Sequence, residues 1–70
     1  MEIERIVDKF EKIIGPVARM LALKTAEELG LEIRGNEIMV EGREEEFKSK
    51  YKEKVGKIIG EEVAETIMQM

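Results

Sequence analysis

The chain has no cysteine, no histidine and no tryptophan in 70 residues, and one proline. Each absence closes a class of function. Without cysteine there is no disulfide, and without cysteine or histidine no zinc site built on those ligands can form. The missing histidine removes the commonest general base near neutral pH, and the missing cysteine the best nucleophile. A Ser-His-Asp or Cys-His triad cannot be assembled from Ser49, Thr25, Thr66 and Tyr51, the residues that carry hydroxyls. The sequence therefore predicts no enzymatic activity, no cofactor and no metal. An all-carboxylate calcium or magnesium site is the one chemical opening, and Glu61, Glu62 and Glu65 are its only candidates. Hard cations ask for six or more oxygens, roughly, and no loop supplies them.

Charge of one sign is also lacking. Twelve basic residues stand against sixteen acidic ones, a net charge of −4. A mildly acidic chain is poorly suited to neutralising phosphates, so nucleic acid and anionic membrane surfaces are disfavoured as partners. No apolar run approaches the roughly 20 residues of a membrane span, and Met1-Glu2-Ile3-Glu4 lacks the basic start of a secretory signal, so a cytoplasmic location is expected. Charge is carried by Glu, Lys and Arg with a single Asp, Asn and Gln. This bias is shared with hyperthermophile proteins.

The apolar residues carry the architecture. In residues 2–14, Ile3, Ile6, Val7, Phe10, Ile13 and Ile14 repeat at helical spacing, with Asp8 and Lys12 placed to pair on the opposite face. Gly15-Pro16 breaks the pattern, since Gly suits a left-handed helix stop and Pro a helix start. Residues 16–29 form a second helix, apolar on more than one face, that Gly30 ends. Residues 31–41 change period: Leu31 and Ile33, then Ile38 and Val40, alternate with polar neighbours around Gly35-Asn36, predicting a short β-hairpin. From Arg43 onward Phe47, Tyr51, Val55, Ile59, Val63 and Ile67 repeat every fourth residue. Glu44–Lys48, Glu46–Lys50 and Glu53–Lys57 have the spacing of helical ion pairs. The expected fold is one mainly α (α+β) domain over residues 1–70. It has two N-terminal helices, a hairpin and one long or bent C-terminal helix, with any break near Gly60.

Lys12-Ile13-Ile14-Gly15-Pro16-Val17-Ala18 has an echo in Lys57-Ile58-Ile59-Gly60-Glu61-Glu62-Val63-Ala64, with one residue inserted. It reads either as two helix–Gly–helix units around the hairpin or, favoured here, as coincidence in a chain rich in Ile, Gly, Lys and Glu. Gly56-x-x-x-Gly60 would permit a tight helix crossing, across a dimer axis for example.

Ile14-Gly15-Pro16-Val17-Ala18 resembles the I-G-P-[IV]-A stretch of small helical modules attached to bacterial signalling proteins, including the tails of some Ser/Thr kinases. Arg43 and Phe47 are similar to an arginine and a phenylalanine further along such modules. The segment from Leu31 to Glu41 departs from their all-helical pattern. The resemblance implies a regulatory or assembly module without catalysis.

A chain this short buries only about 60% of its unfolded surface, and small domains usually need a staple. With no disulfide or zinc, oligomerisation is the expected one, and a homodimer is favoured. Met20, Leu23, Met39, Ile67 and Met70 are the expected interface residues, because Met adapts to partners and an apolar terminus such as Ile67 to Met70 calls for docking. The expected function is a non-enzymatic protein-interaction or regulatory module acting through self-association or another protein partner. The alternative is a small nucleic-acid-binding module using Arg43 and Lys48, Lys50, Lys52, Lys54 and Lys57, with Tyr51 available to stack on a base.

Overall fold

A computed structural model describes residues 2–35 and 37–69. Four helices and a two-stranded hairpin follow in the order α1 (Glu2–Ile14), α2 (Val17–Leu29), β1 (Glu32–Arg34), β2 (Glu37–Met39), α3 (Glu44–Ile59) and α4 (Glu61–Gln69). The expected domain is thus mainly helical with an antiparallel hairpin. One part is corrected: the C-terminal region is two helices rather than one long or bent helix. Gly60 separates them with φ 95° and ψ 143°, a conformation in which the α-helix cannot continue. Its N–H still closes on the Gly56 carbonyl, and its own carbonyl accepts the Ala64 N–H, so one residue ends α3 and starts α4.

The first corner follows the same logic. Gly15 takes φ 76°, and Pro16 stands at the head of α2 in helical conformation. Around both glycines the echoed residues take matching environments. Ile13 and Ile58 are exposed, Val17 and Val63 are exposed, and Ala18 and Ala64 are fully buried. The echo therefore coincides with two helix–Gly–helix corners on either side of the hairpin.

The helices close a ring in which α1 packs on α2, α2 on α3, α3 on α4, and α4 returns to α1 by the slightest contact. α2 turns Ala18, Ala22 and Ala26 inward with Thr25, and leaves its larger leucines half-buried around them. Small residues every fourth position let α3 approach closely, and α3 fills that space with Phe47, Tyr51 and Val55 at the same spacing. All three aromatics of the chain meet here. Phe10 meets Tyr51 edge-on at 5.5 Å, and Phe47 stacks on Tyr51 at 5.6 Å. Ile3, Ile6, Val7 and Phe10 bring α1 to the same core, and Ala64 and Ile67 bring α4.

The hairpin pairs Glu32 with Met39, Ile33 with Ile38 and Arg34 with Glu37. Gly35 takes φ 62° in the two-residue turn; Asn36 lies outside the described residues. Ile38 and Val40 face the core, so the hairpin is anchored on the helices rather than standing alone.

Candidate functional site

Arg43 shows how cationic side chains are held in this fold. It precedes α3 and donates from Nη1 to the Leu29 carbonyl at 2.8 Å, an orphan acceptor at the negative end of α2. Its Nη2 bonds Glu46 at 3.0 Å, which keeps Glu46 below and Arg43 above their ordinary ionisation ranges. Arg43 thus ties two helix ends together. Lys54 donates to Glu28 at 2.7 Å and Lys50 approaches the same carboxylate at 3.7 Å. That hydrogen bond and the two lysine charges hold Glu28 below its usual range. Lys48 is engaged as well. Tyr51 is fully buried and its hydroxyl donates to the Ala18 carbonyl at 2.9 Å. Burial pushes its phenol well above the ordinary range. The residues named for nucleic-acid contact are thus largely held by partners within the chain, and the one aromatic among them is in the core.

Two of the expected helical ion pairs are replaced by contacts between helices. Asp8 accepts from Arg19 at 3.3 Å, with Glu11 nearby at 3.6 Å, so α1 is tied to α2 and Lys12 is left outside. Lys50 turns to Glu28 while Glu46 turns to Arg43.

Two grooves mark the surface. One of about 440 Å³ lies at the α3–α4 elbow, lined by Ser49, Lys52, Glu53, Gly56, Lys57 and Glu61. Its charges are mixed and it presents no single sign to a ligand. A Cβ on Gly56 would stand 3.0 Å from Glu61 Cγ and 3.3 Å from its Cα. The small residue at the head of the Gly56-x-x-x-Gly60 spacing thus serves a close contact within the chain, at this elbow. Among the described residues no three carboxylates converge as a metal site would require. No helix is long and apolar enough to cross a membrane. The second groove, about 230 Å³, runs between α1 and α4 with Lys9, Lys12, Ile13 and Ile67 as its lining.

The residues expected at an interface occupy different settings. Met20 on α2 is 65% exposed. Leu23 is half-buried and packs on the core, and Met39 on β2 is half-buried. Ile67 is only 7% exposed, joining the core while its edge lines the α1–α4 groove. Met70 lies outside the described residues. The pattern did not single out Ile13 and Ile58, which are 54% and 53% exposed, or Val17 and Val63. A signal was present: Ile13-Ile14 and Ile58-Ile59 are adjacent pairs, and neighbours on a helix point about 100° apart. One of each pair packs on the core, Ile14 and Ile59, and the other cannot.

The arrangement offers apolar contact flanked by charge and no convergent set of reactive groups. Comparison with protein families, with curated proteins and with solved structures finds no match to this chain.

Proposed function

We propose that the chain is a non-enzymatic protein-interaction or regulatory module, acting by self-association or by binding a protein partner. The observation that carries this reading is the row of large apolar side chains left open: Ile13, Val17 and Met20 around the first corner, Ile58 and Val63 around the second. Single exposed apolar residues are ordinary, but the same apolar positions open at both corners make a repeated contact surface. The resemblance at Ile14–Ala18 to modules of bacterial signalling proteins accords with it, because that string builds the first corner. Binding would gain from burial of these side chains, and the surrounding Glu and Lys would set specificity.

The test is solution mass by light scattering across a dilution series, paired with affinity capture on the immobilised chain. Met20→Glu and Ile58→Glu are the control variants. Both positions are open, so neither substitution disturbs the core, whereas Leu23→Glu would strike it. A dimer, or a protein retained by the wild type and lost with a variant, supports the reading. A monomer at every concentration that retains nothing specifically overturns it.

A further inference from the structure

The side of the molecule where α1 and α4 meet carries two features that belong together. The groove there has an apolar floor of Ile13 and Ile67. Val63, 49% exposed, stands one turn before Ile67 on the same edge of α4. The ridges on either side carry opposite charge. On α1, Arg5, Lys9 and Lys12 follow at spacings of four and three, forming one basic stripe beside Ile13. On α4, the exposed Glu62 and Glu65 form an acidic one. No ion pair engages any of these five among the described residues, in contrast to Arg19, Arg43, Lys50 and Lys54.

A basic ridge and an acidic ridge flanking an apolar groove make a self-complementary face. A two-fold axis along the groove lays α1 of one copy on α4 of another, twice over, which is the isologous arrangement of most dimers. We infer that this face is covered by a second copy of the chain, with Lys9 and Lys12 of each copy opposite Glu62 and Glu65 of the other and Ile13, Val63 and Ile67 buried between. The inference rests on the reading of the chain as an interaction module and names its partner. A foreign acidic helix would satisfy the α1 ridge and leave the α4 ridge facing its own sign; a second copy satisfies both. The whole molecule measures 28 × 21 × 20 Å, so the seam falls below the roughly 800 Å² per partner of a standard interface. The dimer is therefore one that separates on dilution, and more readily at high salt.

Sedimentation velocity over a concentration series tests this with two charge-reversed chains, Lys9→Glu/Lys12→Glu and Glu62→Lys/Glu65→Lys. Each alone should dimerise about tenfold or more weakly than the wild type, because like charges then face each other. Mixed one to one they should recover the dimer, since reversed α1 meets reversed α4 and the native ridges meet each other. Recovery also requires both variants to be folded, and circular dichroism of each alone checks helix content. A wild-type dimer untouched by either reversal, or variants that are folded, monomeric and do not recover on mixing, overturns the seam. Both results leave the module reading standing on another face. A wild type monomeric throughout that still captures a protein through Met20 or Ile58 overturns the seam alone. A monomer that captures nothing removes both.

Discussion

Tyr51 joins three helices through one side chain. Its ring meets Phe10 of α1 and Phe47 of its own helix, and its hydroxyl reaches α2 at Ala18. Tyr51→Phe should keep the packing and lose the hydrogen bond, costing about 0.5–1.5 kcal/mol in chemical denaturation. The phenol is also neutral by necessity, since burial raises its ionisation in the folded state while the unfolded chain ionises near the ordinary value of 10.0. A raised folded value means a contribution fully present below that pH and lost as pH rises above it. Wild-type stability should therefore fall above about pH 10, and Tyr51→Phe should remove that part of the fall. The core role of Tyr51 was legible from its place in the every-fourth stripe. The exposure of Ile13 was not, because a stripe six residues strong conceals which member lies at its edge. The alanines of α2 were also hidden: the eye goes to leucine, but α3 brings its aromatics close enough that only small residues fit beneath them.

At the level of elements, breaks were easier to read than partners. Gly15-Pro16, Gly30 and the hairpin turn are marked by residue type, and Gly30 closes α2 as a left-handed stop, with the Leu31 N–H reaching back to the Ala26 carbonyl at 2.8 Å. Gly60 was harder, since glycine inside a helix pattern has two meanings and only the backbone angle separates them. That angle gives a prediction. Nothing crowds a Cβ at Gly60, so Gly60→Ala meets open space and the whole cost is conformational. The substitution should destabilise the fold by about 1–3 kcal/mol, read from the thermal or denaturant midpoint. Ion pairs were the least legible feature. Sequence spacing identifies partners along one helix, while Arg19 and Lys54 found theirs on neighbouring helices, where the geometry depends on how the helices cross.

Over the whole molecule, the acid limb of stability belongs to a few paired carboxylates. Glu28 lies below its ordinary value of 4.5 through its hydrogen bond from Lys54, and Glu46 through that from Arg43. A lowered folded value means a contribution complete above 4.5 and lost as pH falls through the depressed value. With no histidine to titrate, the melting temperature should be level from about pH 5 to 8 and drop below that range. In Glu28→Gln the acid drop should shrink, while the value near neutrality falls slightly because an exposed pair contributes little. The order in which the ring closes has a consequence in time. Each element packs mainly on its neighbour in sequence, and only the meeting of α1 with α4 and of Phe10 with Tyr51 spans most of the chain. Such a topology has low contact order, so two corners and a turn can form independently and early. The entropy of closing the chain falls on a single late event, the arrival of α4 beside α1. The face that completes last is then the one left briefly open to a second chain while the rest of the molecule is already built.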